Sequence, residues 1–169
     1  METRYEHKKA MRFIGFSRYV RPAEGYRECP RFWEEAYEKR YARLWQGGAP
    51  ETAGERTVLA NEIGRFALCL MDDDGGFTYV IAGPYRGGEV PEGMALYDFP
   101  ASDYAVFSTT GPMPDALQRL NDAVWSQWLP NEGRQYAPNG TATLEVCSGG
   151  DPQSPDYTCG IWVPIVRRA

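Results

Sequence analysis

The stretch Gly93–Trp128 constrains this chain more than any other. Two short apolar runs, Met94–Phe99 and Asp103–Thr110, are joined at Pro100-Ala101-Ser102-Asp103. Runs that close together pair as an antiparallel hairpin, because a parallel pair needs a long crossover. Gly111-Pro112 stops the second run. A helix follows over Pro114–Trp128, with Pro114 and Asp115 in its first turn and Leu117, Leu120, Val124 and Trp128 at spacings of three and four. No catalytic motif lies inside the stretch, which reads as a hairpin feeding a helix.

The preceding half has the same order. Arg12–Val20 is rich in branched and aromatic residues and reads as a strand, with Gly15 marking a bulge or a close backbone approach. Arg21–Tyr26 reads as a loop. A helix begins near Pro30 and carries Phe32, Trp33, Ala36, Tyr37, Ala42, Leu44 and Trp45 near helical spacing, up to Gly47-Gly48. The polar segment Ala49–Glu62 reads as a loop. Arg65–Met71 and Phe77–Ala82 are strands flanking the turn Asp72-Asp73-Asp74-Gly75-Gly76, which lacks the spaced oxygen ligands and distal Glu of a calcium loop. Beyond the central helix, Pro138-Asn139-Gly140 is a turn, and Thr143–Cys147 and Tyr157–Val166 are strands. Both halves, about 10–85 and 93–167, thus read strand, helix, strand, strand. The fold expected is α+β: tandem strand-helix-strand-strand halves forming one antiparallel sheet, with helices on one face.

A chain of 169 residues suits a single domain spanning 1–169. Its 18 basic and 23 acidic residues leave a net charge of −5, and Arg27, Arg31, Lys39, Arg40 and Arg43 are interleaved with glutamates. That pattern is a solvated helix face and disfavours direct nucleic-acid binding. No run has signal-peptide or membrane-spanning length, so a cytoplasmic protein without a membrane partner is expected. Cys29, Cys69, Cys147 and Cys159 show no metal-ligand pairing and read as small buried hydrophobes. His7 is the only histidine, which leaves no Ser-His or Cys-His catalytic pair and no histidine metal site. Gly87-Gly88 lacks the Lys and helix start of a phosphate loop. No cofactor, metal or catalytic residue is therefore assigned. Aromatic residues make up 14% of the chain, with 11 tyrosines against 7 phenylalanines. That excess is either a large core or the wall of a cavity for a flat or cationic ligand.

Phe77-Thr-Tyr-Val-Ile-Ala-Gly83, Val90-Pro-Glu-Gly-Met94, Phe99-Pro-Ala-Ser-Asp-Tyr-Ala-Val-Phe107, Gly111-Pro-Met-Pro114, Trp128-Leu-Pro130, Leu144-Glu-Val146, Ser154-Pro-Asp-Tyr157 and Ile161-Trp-Val-Pro164 occur in order along the chain. Together they resemble the GyrI-like domains, the effector-binding modules of AraC-type and MerR-type transcription regulators that also occur as stand-alone proteins. The resemblance implies a central ligand cleft between pseudo-symmetric halves and ligands that are aromatic, amphipathic or cationic. It also implies two alternatives: a hydrolase of strained-ring natural products, and a protein-binding inhibitor of the gyrase-inhibitor type. A protein partner or a homodimer stays open. The length leaves no room for a helix-turn-helix domain, so a regulatory role calls for a partner or a longer parent chain.

The family often carries a glutamate two residues before the aromatic of Ile161-Trp-Val-Pro164. Gly160 stands there in this chain, which weakens the cationic-drug and hydrolase readings. Glu145 remains as the candidate acid. Strand alternation separates Leu144 and Val146 from Glu145 and Cys147. If Leu144 and Val146 pack under the helices, Glu145 faces the cleft; otherwise it lies on a solvated face. The same rule groups Gly160 with Trp162. The expected ligand-binding residues are Glu145, Trp162, Tyr104, Tyr79 and Phe107, with core packing an equal account of the four aromatics. Trp33, Tyr37 and Trp125, at helical spacing, read as core.

Overall fold

The computed structural model describes Met1–Ala169. It is α+β, with nine strands in an antiparallel sheet and four α-helices, as expected. The chain divides into two compact units, Arg12–Asp98 and a second made of Met1–Met11 with Phe99–Ala169. The first strand therefore belongs with the C-terminal half.

In the Arg12–Asp98 unit the strand order is β3 (Phe66–Met71), β4 (Phe77–Pro84), β2 (Met11–Val20), β5 (Ala95–Phe99). β4 pairs on both sides, placing Phe16, Ile81 and Ala67 in one row and Arg18, Tyr79 and Cys69 in another. Residues directly opposite in an antiparallel pair share a face. That face meets the helical segment: Ile14, Phe16, Ala67, Tyr79 and Ile81 pack with Phe32, Ala36, Tyr41 and Leu44 in one buried cluster. The Asp72–Gly76 turn forms as the sequence predicts, with the Asp72 amide donating to the Gly76 carbonyl at 2.9 Å and Tyr19 donating to the Asp74 carboxylate.

The helical segment is not one regular helix. α1 (Gly25–Glu35) starts one turn before Pro30, passes into a π-helical turn over Ala36–Arg40, and resumes as α2 (Ala42–Trp45). The cause is visible in the spacing of Trp33, Tyr37, Tyr41 and Trp45, four residues apart throughout. An α-helix repeats every 3.6 residues, so a strict four-residue spacing drifts about 40° per step around the axis. One wider turn, closed by the Tyr41 amide on the Ala36 carbonyl at 2.8 Å, absorbs that drift. The segment Ala49–Glu62, expected as a loop, contains α3 (Ala53–Ala60). Thr52 and Glu55 form a reciprocal capping box that starts it, and Val58 is buried beneath it. This Thr-x-x-Glu signature is present in the sequence but is masked by the low apolar content around it.

In the other unit the order is β1 (Glu2–Lys8), β6 (Ser102–Thr110), β9 (Thr158–Arg167), β8 (Ala142–Cys147), with β7 (Tyr136–Pro138) also pairing with β9. β1 was not expected, because Glu-Thr-Arg-Tyr-Glu-His-Lys has no apolar alternation; its seven residues are strand because β6 offers an edge to pair with. His7 Nδ1 meets Asp103 Oδ1 at 2.8 Å across that pair. α4 (Asp115–Ala123) also runs into a π-helical turn, Val124–Trp128, closed by the Leu129 amide on the Val124 carbonyl at 2.9 Å. Leu117, Leu120, Val124 and Trp128 cover Ala105, Phe107, Ile161 and Val163, as the helical spacing predicts.

Gly15 marks a close approach rather than a bulge: a Cβ there would overlap the Ile81 carbonyl oxygen on the paired strand. Gly15→Ala is expected to lower stability by about 2 kcal/mol, since overpacked sites force backbone shifts. Urea unfolding of the two proteins checks this; an unchanged midpoint would show that the strands part freely at this point.

Candidate functional site

The end of β8 and the start of β9 hold the most unusual chemistry in the molecule. The Ser148 amide donates to the Thr158 carbonyl at 3.1 Å, which makes that pair the hydrogen-bonded kind. The pairs Cys147–Cys159 and Glu145–Ile161 are then the closer, non-hydrogen-bonded kind. β6 extends the rows, setting Thr109 beside Cys159 and Phe107 beside Ile161. Ile161, Phe107 and Cys159 belong to the cluster under α4, with Cys147 packed against it. Glu145 therefore projects on the helix-covered face, half-buried among apolar side chains.

Its charge is felt there. Burial pushes the Cys147 thiol up to about 12, with the Glu145 carboxylate adding to the rise and a hydrogen bond from Tyr157 opposing it. The Cys159 thiol is pushed up to about 11, again by burial first and Glu145 second. Both thiols are neutral at physiological pH.

The condition under which Glu145 would face the cleft is not met. Leu144 and Val146 do not pack under the helix. They lie opposite Trp162 and Gly160, on the other face. Of the five expected binding residues, Glu145 and Phe107 share one face of this unit, Tyr104 and Trp162 share the opposite one, and Tyr79 belongs to the other unit. Phe107 is 0% exposed and packs edge-on against Trp128, with centroids 4.8 Å apart. Tyr104 is 1% exposed, and its hydroxyl, without a partner, has its pKa raised by burial. Trp162 is half-buried, and the ammonium of Lys8 sits 3.9 Å from its ring centre, held also by Glu6 at 2.9 Å. Tyr79 is 1% exposed and accepts a hydrogen bond from Trp33 Nε1 at 2.9 Å. Three of the four aromatics are thus core, and the fourth already holds a cation from its own chain.

Gly160 has a steric reason. A Cβ there would lie 2.8 Å from the Phe107 carbonyl oxygen of β6. The strands are too close at this point for the family's glutamate, and the hydrolase reading loses the acid it relied on.

Sequence reasoning missed the ring ladder on the Arg12–Asp98 unit. Trp33 and Tyr37 stack at 5.8 Å, Tyr37 and Trp45 lie 3.8 Å apart, and Tyr41 meets Trp45 edge-on at 5.8 Å. Tyr37, expected as core, is 37% exposed. The signal was the four-residue spacing, which a search for 3.6-residue periodicity blurs. A separate cavity of about 500 Å³ in this unit is lined by Lys39, Arg40, Arg43, Glu51 and Glu55, with Arg43 paired to both glutamates. No group of three or more His, Cys, Asp and Glu side chains is arranged to hold a metal ion, and no helix is long and apolar enough to cross a membrane.

Two predictions follow from these rows. A thiol whose folded pKa is raised keeps its proton while the unfolded chain loses its own, so the stability it contributes is intact below the ordinary thiol range and lost as pH rises. Stability should therefore fall from pH 9 upward toward the Cys147 value of about 12, and Cys147→Ser should flatten that fall, as read from urea midpoints at pH 8, 9 and 10. Gly160→Glu should cost about 2 kcal/mol or more by the same overpacking argument as at Gly15, and a stable, soluble variant would show that β6 and β9 have slack there.

The comparisons with known proteins agree with this architecture. A family model described as "Cass2: Integron-associated effector binding protein" matches residues 4–165. The structure described as SAV2435 bound to tetraphenylphosphonium superposes with a TM-score of 0.76 at 20% identity, covering 98% of this chain and 94% of that one. Integron cassette protein VCH_CASS2 from the mobile metagenome of Vibrio cholerae gives a TM-score of 0.63 at 17% identity, covering 97% and 95%. At such identities the likeness shows the fold. The transcriptional regulator BrlR of Pseudomonas aeruginosa is 27% identical over 129 residues, which are 73% of this chain and 45% of BrlR, so the chain spans about half the length of that relative. With the matched region running through nearly every strand and helix described above, the chain belongs to the integron-associated effector-binding protein family.

Proposed function

We propose that this chain binds an aromatic, amphipathic cation and serves as the sensing or sequestering part of a regulatory system. The observation that carries the reading is the ring ladder of Trp33, Tyr37 and Trp45, which leaves Tyr37 37% exposed on the surface of the Arg12–Asp98 unit. Exposed stacked rings offer a flat ligand dispersion contact and a cation a favourable quadrupole. Membership of an effector-binding family and the tetraphenylphosphonium held by SAV2435 support the same class of ligand. The relation to BrlR supports a link to transcriptional control.

Tetraphenylphosphonium is the first probe. Saturable quenching of tryptophan fluorescence is expected, and Tyr37→Ala should weaken it. The neutral analogue triphenylphosphine oxide should bind more weakly than tetraphenylphosphonium, because a ring face attracts a cation. Absence of quenching by tetraphenylphosphonium and by a varied panel of aromatic cations would overturn the proposal.

A further inference from the structure

We propose that Cys147 and Cys159 form a dithiol site that captures a trivalent aryl arsenical, a reactivity separate from reversible ligand binding and independent of it. The argument starts from register. The two cysteines are direct cross-strand partners on β8 and β9, at a non-hydrogen-bonded pair, and both side chains lie on the α4 side. Such a pair brings its Cβ atoms to the short end of about 4.5–5.5 Å, at the upper edge of the roughly 3.5–4.5 Å of an unstrained disulfide. Both thiols are free, and one thiophilic atom bonded to both sulfurs spans the pair.

The chemistry suits neutral thiols in an apolar wall. In water the arsenical is R–As(OH)2. The sulfur of Cys147, the less buried residue of the two, replaces one hydroxyl: an As–O bond breaks, an As–S bond forms, and the thiol proton leaves with the hydroxyl as water. Cys159, 3% exposed, replaces the second in the same way. Arsenic remains trivalent throughout, two waters are released, and no charge is left on the protein. Thiols that burial keeps protonated are poor nucleophiles toward alkylating agents. A condensation that consumes neutral thiols and yields a neutral product is not opposed by the same burial. The aryl group is matched by the rings of this cluster: Phe107, Trp128 and Tyr157 are buried in it and Trp125 packs against it. The other two cysteines, Cys29 on α1 and Cys69 on β3, lie in the other unit, and Cys69 has Tyr79 as its cross-strand partner.

Phenylarsine oxide tests this on the full chain. One equivalent should bind, seen as a one-to-one adduct by intact mass and as the loss of two titratable thiols after denaturation. A small dithiol should remove it and an equal concentration of a monothiol should not. The doubly substituted Cys29→Ser/Cys69→Ser protein should behave like the wild type. Cys147→Ser or Cys159→Ser should weaken capture about a hundredfold or more, because the second bond is intramolecular. Cys147 is half-buried, so Cys147→Ser keeps the test decisive even if the Cys159 variant fails to fold. Full capture by Cys147→Ser, loss of capture in Cys29→Ser/Cys69→Ser, or ready removal by a monothiol would each overturn the proposal. Tetraphenylphosphonium binding is read separately and has no bearing on these outcomes.

Discussion

The register of β9 is the constraint on which most of the C-terminal unit depends. β9 pairs with β6, β7 and β8, so a slip of one residue would exchange every side chain on it between faces. In the observed register Cys159, Ile161, Val163 and Ile165 meet α4, and Gly160, Trp162 and Pro164 meet nothing of that helix. The choice is enforced from both sides. Gly160 tolerates the close carbonyl of Phe107 because it has no Cβ, and the branched residues fill the space under Leu117, Leu120 and Val124. Every placement discussed for Glu145, Cys147 and Trp162 is a consequence of that register.

The covered face carries an acid. Glu145 stands half-buried in a row with two fully buried residues, Ile161 and Phe107, and raises the pKa of both neighbouring thiols. In the Arg12–Asp98 unit the π-turn gives up regular helical hydrogen bonding, the chain breaks at Tyr41, and Trp45 lies against Tyr37.

Much of this was legible in the chain. The hairpin at Asp72–Gly76, the helix over Pro114–Trp128 and the strand-helix-strand-strand order follow from local signals. The hairpin expected at Pro100–Asp103 does not form: β5 pairs with β2, and β6 has both its edges taken by β1 and β9. What escaped was decided by partners distant in sequence. β1 has no apolar alternation and becomes a strand by pairing with β6, whose residues lie about a hundred positions away. α3 is announced by its capping box but needs a core to bury Val58 against. Among the candidate site residues, alternation correctly separated Glu145 from Leu144 and grouped Gly160 with Trp162. It could not say which set the helix would cover.

The sequence by itself determined most of the elements, their order, the family and the short set of residues with unusual chemistry, because tight turns, helix starts and side-chain periodicity act over a few residues. Only the tertiary structure decided which face of β8 and β9 lies under α4, that Lys8 occupies the Trp162 ring, that Tyr79, Tyr104 and Phe107 are core, and that two cysteines twelve residues apart stand directly opposite each other. The physical reason is the two-residue repeat of a strand. It offers two faces of equal local merit, and packing against a helix from elsewhere in the chain selects one.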